Sequence, residues 1–414
     1  MNLTPIEPPD DPNSTSPLRL AVVTRRFWPF AGSTELAVGD LASAIKRAGH
    51  CVEIVTVRWE KNWPRFFQFL ELPVHRVNRP ASGPWGSFRY LRNLTRELTA
   101  LQLDGIIVYG LGSEAWSITR SFADKIPITI RIDNHLLGDQ PSPPQFSKRQ
   151  VSALNVATHV VVESEWTANR IASHPAVKTE AISVVPDGVQ ISPDRVRTAT
   201  DRACSRVAIS DAHPILMIEA GQPLVVCGAP LNGDKGLFDL LDAWPRVLKR
   251  FPNARLWILG DGTNGRKIWD RIQEKNLVHS VILPGSFDDL TDVFQAADVY
   301  VHPLRSNETC SFLSRALAAG VCPIATSTDS TRQIITHEVN GLLVEAQNPK
   351  ALSDAVIVAL DDVDLREGFG SAVLKPAVTT YDVDQLVDQF LEPHLPDPDS
   401  KPVCTAITTR KLNS

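Results

Sequence analysis

The sequence predicts an α/β protein of two doubly wound, Rossmann-like domains, each with a parallel sheet covered by helices on both faces. Buried-strand patterns alternate with helical periodicity, and this alternation restarts near residue 223. With 414 residues, 43% of them hydrophobic, the chain is long enough for two cores. Two such sheets side by side leave a central cleft at their carboxyl edges, where open α/β proteins bind ligands.

The individual elements follow from short apolar runs and from helical spacing. "RLAVVT" is a buried strand, and "ELAVGDLASAIKRAGH" repeats apolar residues at helical intervals until Gly49 ends it. Further strand patterns occur at "CVEIVTV", "GIIVYG", "ITIRID", "HVVVES" and "AISVVP". The second series runs from the strand "PLVVCG" and the helix "LFDLLDAWPRVLKRFP" through "ARLWILG", "SVILPG" and "VYVHP" to the strand "CPIAT".

These patterns divide the chain into six segments. We expect a disordered tail over 1–17, a first domain over 18–190, a linker over 191–222, a second domain over 223–380, a final helix over 381–395 that packs back on the first domain, and a flexible tail over 396–414.

Charge and cysteine content exclude some functions and favour a compartment. The 42 basic and 47 acidic residues give a net charge of -5, so no global positive field attracts nucleic acid. The six cysteines lie far apart without metal-ligand spacing, which predicts reduced, mostly buried thiols. The segment "MNLTPIEPPDDPNSTSP" lacks the pattern of a signal peptide, and no apolar run reaches membrane-spanning length. We therefore expect a cytoplasmic protein, at most peripheral to the inner face of a membrane.

The first strand-to-helix turn of the second domain is a candidate phosphate site. "CGAPLNGDKGLFDLL" contains Gly228, Asn232 and Lys235 just before a helix begins. A lysine beside free N–H groups at a helix N-terminus can receive a diphosphate, with each charge-assisted hydrogen bond worth about 1.5 to 3 kcal/mol. A solvated lysine in a surface turn explains the same residues equally well.

The first domain opens with a comparable turn. "TRRFWPFAGSTEL" places Gly32 and Ser33 at the start of a helix whose N-terminus points across the cleft. A simple N-cap at Ser33 or Thr34, without any ligand, is the alternative.

Two further stretches carry polar candidates. "ITIRIDNHLLGD" places Asp133, Asn134 and His135 at the end of a strand, on the edge that faces the cleft, although an Asx-turn also explains the first two. "GDGTNG" at 260–265 matches the dinucleotide pattern G-x-G-x-x-G, but "PLVVCG" already occupies the first turn of that domain, where the pattern belongs. A dinucleotide site is therefore the weaker interpretation.

A series of motifs resembles a retaining glycosyltransferase of the GT-B fold, family 4 type. The match covers about 18–395 and rests on "FWPFAGSTE", "RAGHCVEIVT", "VVVESEWTANRI", "ISVVPDGV", "LNGDKGLFDLLDAW", "FPNARLWILGDG", "FQAADVYVHP", "ALAAG" and "NGLLV". The resemblance implies transfer of a sugar from a nucleotide-diphosphate sugar to an acceptor hydroxyl, with retention, in glycan, glycolipid or cell-surface polysaccharide synthesis. It implies a glycan or lipid-linked acceptor, and neither a cofactor nor a metal ion.

The resemblance also implies roles for individual residues. The catalytic positions fall on Asp133, which replaces the family's usual histidine, on Lys235, the phosphate lysine, and on Glu308. Donor-binding positions fall on Gly32, Ser33, Gly228, Asn232, Lys235, Asn307, Thr309 and Arg315, and acceptor-side positions on His135 and Arg26.

The stretch "SNETCSFLSRALAAG" departs from the family pattern, which has two glutamates eight positions apart. The first position falls on Asn307, or on Glu308 if the loop is one residue shorter, and the second falls on Arg315, which has only donors. An expected phosphate arginine is also replaced by Ala229 or Pro230. Arg315 either compensates by turning toward the diphosphate or faces solvent in a disused site. The alternative function is therefore a catalytically degenerate GT-B protein that acts as a binding or assembly partner.

An aromatic and basic stretch, 58–92, lies in the domain that takes the acceptor. "RWEKNWPRFFQFLELPVHRVNRPASGPWGSFRYLR" forms either a sticky rim for a lipid-linked or polyanionic acceptor, with peripheral membrane contact, or a set of core aromatics with solvated arginines. The second interpretation is favoured.

Overall fold

The computed structural model describes residues 16–30, 32–133, 144–178, 180–191, 197–231, 236–285, 287, 289–307 and 311–395. The first domain contains β1 (Arg19–Val23), α1 (Ser33–Arg47), β2 (Cys51–Arg58), β3 (Phe66–Phe69), β4 (Leu72–Asn78), α2 (Pro84–Ala100), β5 (Gly105–Tyr109), α3 (Ser113–Phe122), β6 (Ile128–Ile132), α4 (Lys148–Val156), β7 (His159–Val162), α5 (Glu165–Ala172) and β8 (Ile182–Val184).

The rest of the chain builds the second domain and returns to the first. Its elements are α6 (Ala199–Ala212), β9 (Leu224–Gly228), α7 (Leu237–Arg250), β10 (Arg255–Leu259), α8 (Gly265–Glu274), β11 (Val281–Ile282), α9 (Thr291–Ala296), β12 (Val299–His302), α10 (Ser311–Ala318), β13 (Cys322–Thr326), α11 (Asp329–Ile334), β14 (Leu342–Val344), α12 (Pro349–Asp361), α13 (Val363–Tyr381) and α14 (Val383–Leu391).

Two separate sheets confirm the predicted pair of α/β domains. Within the described residues the first sheet has the order β3-β4-β2-β1-β5-β6-β7-β8 and the second has the order β11-β10-β9-β12-β13-β14. Strand order reverses beside β1 in the first sheet and beside β9 in the second, and a crevice for ligands forms at such switch points. The carboxyl ends of β1 and β9 therefore lie at the cleft.

Each sheet is buried on both faces because its strands are short runs of β-branched and apolar residues. In β1, Leu20 and Val22 join one hydrophobic cluster while Ala21 and Val23 join another on the opposite face. This alternation follows from the two-residue period of a strand. The second sheet has an apolar cluster on each face in the same way.

Two features of the fold were absent from the sequence prediction. Strand β3 pairs antiparallel with β4 at the edge of the first sheet, whereas the other described strand pairs are parallel. The expected linker, 191–222, contains the helix α6, and Ile209 and Leu216 join the core of the second domain. The expected tails, 1–17 and 396–414, lie outside the described residues apart from 16 and 17.

Helix α14 packs against α1 of the first domain, although it follows the whole second domain in sequence. Arg47 of α1 donates to Asp384 of α14, with 2.7 Å from Nη2 to Oδ1. Val189 and Asp382 form an isolated parallel bridge beside this helix.

Candidate active-site cleft

Helix α1 begins at the cleft, and its first residue contacts the second domain. The hydroxyl of Ser33 accepts a hydrogen bond from the backbone N–H of Ser311, at 2.8 Å, and the hydroxyl of Ser311 donates to the carbonyl of Ser33 at 3.0 Å. Ser311 is the first residue of α10, so the Ser33 hydroxyl satisfies an N–H group that a helix leaves without a partner inside itself. The N-termini of α1 and α10 therefore meet across the cleft.

A second contact joins the turn after β1 to the "GDG" turn after β10. Arg26 donates to the carboxylate of Asp261, with 2.6 Å from Nη2 to Oδ2. The same guanidinium lies 3.2 Å from Glu35 Oε1 and 4.3 Å from the ring centre of Phe30. Asp261 thus serves as an interdomain contact.

A third contact pairs two buried charges. Arg315 of α10 donates to the carboxylate of Asp40 on α1, and the two side chains are only 10% and 14% exposed. The alternative that Arg315 faces solvent is therefore wrong. Burial, which outweighs the pairing with Arg315, raises the pKa of Asp40 to about 6.

Inside the first domain, the carboxyl ends of β6, β7 and β8 bring together a buried cluster of charges. Arg131 is fully buried and donates to the carbonyl of Val185 and, at 2.7 Å, to the carboxylate of Asp187. Burial raises the pKa of Asp187 despite this pairing. Asp133 lies nearby, with 3.6 Å from its Oδ1 to Arg131 Nε.

Glu163, at the end of β7, belongs to this cluster. Burial raises its pKa to about 8, although Arg131 lowers it. Its Oε1 accepts from the hydroxyl of Thr167 at 2.8 Å, while its Oε2 is buried without a hydrogen-bond partner among the described residues. A neutral carboxyl group is the form that tolerates such burial.

Asp133 connects this cluster to the cleft. Its Oδ2 accepts a hydrogen bond from the hydroxyl of Thr34, at 3.0 Å, in the first turn of α1. The acidic end of β6 therefore lies beside the Gly32–Ser33 turn, as the sequence predicted for strand ends that face one edge. Its catalytic role remains a prediction.

Two glycines allow the close approach of elements around the turn after β9. A Cβ atom at Gly228 would lie 2.5 Å from the Cβ of Phe312 in α10, so a larger residue would displace that helix. Gly236 has φ of +80° at the start of α7, and its Cβ would lie 1.8 Å from the carbonyl oxygen of Pro303. Only glycine fits this conformation without strain.

An interdomain cavity of about 540 Å³ opens beside the Asp40–Arg315 pair. Its first-domain wall includes Phe30, and its second-domain wall includes Phe287 and Asp289. Aromatic rings and carboxylates from both domains thus line one space, and ligand sites typically combine aromatic walls with a few polar groups.

One predicted site residue contacts α11, and others lie outside the described residues. Asn307 directs its amide oxygen at α11, where it accepts from the backbone N–H of Asp329 at 2.8 Å. The predicted residues His135, Asn232, Lys235, Glu308 and Thr309, with Asn134, lie outside the described residues.

The structure corrects the predictions for cysteines and for the aromatic-basic stretch. Of the four described cysteines, Cys51 and Cys204 are exposed while Cys227 and Cys322 are buried, so the described thiols are not mostly buried. Arg76 is buried between aromatic rings, with its Cζ 4.0 Å from the ring centre of Phe67. The favoured interpretation, in which several of these aromatics are core and the arginines are solvated, is therefore wrong for Arg76. Trp85 is 83% exposed, whereas Trp59 and Phe67 are partly buried against the core of the first domain.

The described residues contain no group of three or more His, Cys, Asp or Glu side chains placed to hold a metal ion. Across the same parts of the chain, no helix combines the length and apolar character needed to cross a membrane.

Comparison with known proteins defines the class of protein. The family model "Glycosyl transferase 4-like domain" matches residues 32–188, and the model "Glycosyl transferases group 1" matches residues 209–375. Together they cover more than half of the chain, one for each domain. The chain belongs to the group 1 glycosyltransferases of the GT-B fold, as the motifs predicted.

Similar sequences and structures agree with this class. An uncharacterized glycosyltransferase of Methanocaldococcus jannaschii is 23% identical over 393 residues, which is 90% of this chain and 96% of that protein. A phosphatidyl-myo-inositol mannosyltransferase of Mycobacterium tuberculosis is 28% identical over 52% of this chain and 54% of its own length. Anabaena HepE, solved with UDP and glucose, has a TM-score of 0.69 at 18% identity and covers 91% of this chain and 98% of its own.

Sequence inspection missed several residues of the cleft. Asp40 is one acid on an amphipathic helix, and nothing in its neighbourhood marks it as buried. Arg131 did leave a signal, because a charge within the strand pattern "ITIRID" indicates a buried, paired group.

Proposed function

We propose that this glycosyltransferase moves a sugar from a nucleotide-diphosphate sugar to an acceptor hydroxyl, with retention, in the synthesis of a glycan, glycolipid or cell-surface polysaccharide. One observation carries the proposal: the N-termini of α1 and α10 meet in one cleft, with Gly228 at the end of β9 packed against α10, in a chain that belongs to this family. Helix N-termini of this kind bind anions.

In this proposal the diphosphate binds between α10 and the turn after β9. The N–H of Ser311, which now donates to Ser33, is the kind of donor that a phosphate oxygen accepts. Asn232 and Lys235 in the turn, with Glu308 and Thr309 before α10, supply further contacts. Fixed donors aimed at the leaving diphosphate lower the barrier, since negative charge grows there as the glycosidic bond breaks.

The nucleoside of the donor occupies the interdomain cavity. Phe30 and Phe287 line this cavity, and stacking of a base on an aromatic side chain contributes about 1 to 3 kcal/mol. Asp289 presents a carboxylate that accepts hydrogen bonds from hydroxyl groups. The acceptor approaches from the first domain, where Asp133, Arg26 and His135 belong to the acceptor side.

A ligand panel tests the proposal directly. Thermal shift and calorimetry with UDP, GDP, ADP and their sugars should show one stabilising nucleotide, and Lys235→Ala should abolish the shift. Lys267→Ala, at an exposed position of α8, is the matched control and should bind as the wild type does. If the folded protein shows no thermal shift and no heat of binding with any nucleotide of the panel, the alternative is favoured, a GT-B protein that acts as a binding or assembly partner.

A further inference from the structure

We propose that Arg315 is a positioning residue of the cleft: it acts through Asp40 and allows the two domains to close while that carboxylate is ionised. The inference rests on the proposed function, because closure is what assembles a nucleotide-sugar site from both domains. Closure itself is measurable without any substrate.

The position of Asp40 makes closure of the two domains unfavourable unless a cation pairs with its carboxylate. Asp40 lies on α1 of the first domain, and α10 of the second domain covers it, leaving 14% of the side chain exposed. Removing an ionised carboxylate from water is unfavourable unless an opposite charge and hydrogen bonds replace the water. Arg315 supplies both, through the hydrogen bond from its Nη2 to Asp40 Oδ2.

Other charged groups around the pair do not replace this contact. On α1 itself, Glu35 pairs with Arg26, and Arg47 pairs with Asp384 of α14. The charge of Arg47 also lowers the pKa of Asp40, but burial outweighs it. Among the other titratable groups whose charge acts on the pair, Asp289 in the turn before α9 and Asp187 in the turn after β8 are acidic, and Tyr109 at the end of β5 is a neutral phenol.

The pKa of Asp40 gives closure a pH dependence with a definite sign. In the closed arrangement burial raises that pKa from 3.8 to about 6, so the closed state holds the proton more tightly than an open, solvated state does. The favourable contribution of the proton to closure is complete below the open-state pKa and is lost as pH rises through the closed-state pKa. Without Arg315 the closed-state pKa rises further, and closure is lost at neutral pH.

Small-angle scattering on four proteins, each at about pH 7.5 and about pH 5, tests this. The wild type should be compact at both values. Arg315→Met should be extended at the higher pH, with a closure constant lower on the order of a hundredfold, and compact at the lower pH. The double variant Asp40→Asn with Arg315→Met should be compact at both. Arg266→Met, whose side chain is 85% exposed on α8, is the matched control and should resemble the wild type.

Three results would overturn the inference. They are an Arg315→Met protein that stays compact at the higher pH, one that opens equally at both values, and a double variant that remains open. Circular dichroism of each variant establishes that the domains are folded, so extension reports opening and not unfolding.

Donor kinetics separate this role from a direct contact with the diphosphate. A positioning role predicts that Arg315→Met raises KM for the donor about tenfold or more at neutral pH, and that the double variant restores it. A direct contact predicts that the double variant remains impaired. If scattering follows the expected pattern and no variant uses any nucleotide-sugar, the proposed function fails while the inference stands.

Discussion

Arg131 is buried and Arg315 is largely buried, and both are paired with aspartates, but one pair lies inside a domain and the other spans two. Arg131 bonds Asp187 at the carboxyl edge of a single sheet, where the partners stay together for as long as the domain is folded. Arg315 bonds Asp40 across the cleft, where the partners separate whenever the domains open. The same chemistry therefore contributes to the stability of a domain in the first case and to the arrangement of two domains in the second.

The largest expected effect is on the pair inside the domain. Arg131→Met leaves Asp187 and Asp133 buried without their cation, and breaking a buried pair in this way costs about 3 to 5 kcal/mol of unfolding free energy. Urea denaturation measures the loss. Arg266→Met is the control, because its exposed pair with Asp270 contributes less than about 1 kcal/mol. A loss of unfolding free energy below about 1 kcal/mol for Arg131→Met would contradict the view that the Arg131–Asp187 pair stabilises its domain.

Glu163→Gln should show a pH-dependent effect of intermediate size in the same cluster. Because the pKa of Glu163 is about 8 in the folded state, the protonated carboxyl contributes to folding stability at low pH. This contribution is lost as pH rises through that value. The glutamine variant should be close to the wild type in stability near about pH 5 and more stable by about 3 to 4 kcal/mol at about pH 8.5.

Denaturant unfolding at several pH values measures this difference. Parallel curves for Glu163→Gln and the wild type would show that Glu163 is ionised throughout. Glu274→Gln, on the exposed surface of α8, should leave the pH profile unchanged.

A smaller effect is expected at the paired helix N-termini. Ser33→Ala removes the acceptor for the N–H of Ser311 and should weaken closure by about 1 kcal/mol, with little change in the unfolding of either domain. Ser147→Ala removes a cap inside the first domain, where Ser147 caps α4, and should lower unfolding free energy by a similar amount without affecting closure. Scattering measures closure and denaturation measures unfolding free energy for both variants, and the two serine variants should differ in which quantity changes. Equal effects on closure would contradict it.

The smallest effect on stability is expected at the exposed aromatic surface of α2. Trp85 and Phe88 are 83% and 60% exposed, so Trp85→Ser should change unfolding free energy by less than about 0.5 kcal/mol. If this surface forms the peripheral membrane contact, the variant should lose cosedimentation with vesicles that contain anionic lipids. Unchanged cosedimentation, or none for the wild type, would argue against that contact.

The alternation of apolar strands and amphipathic helices was sufficient to predict both domains and the cleft between them. It was also sufficient to place Asp133 and the turns at Gly32 and Gly228 on the edges that face this cleft, because parallel strands end at a common edge. The β3–β4 hairpin was not predicted because its aromatic and basic residues do not alternate regularly. Helix α6 was not predicted because its many charged residues obscure the helical spacing of the few apolar residues that pack against the core.

The sequence by itself determined the fold class, the family and the location of the cleft, since each depends on local periodicity or on motifs of a few residues. Only the tertiary structure decided that Ser33 meets Ser311 and that Arg315 meets Asp40. These partners are 278 and 275 positions apart in the chain, and they lie on elements of different domains. No local pattern encodes such a meeting, because it depends on how the two packed domains are placed against each other.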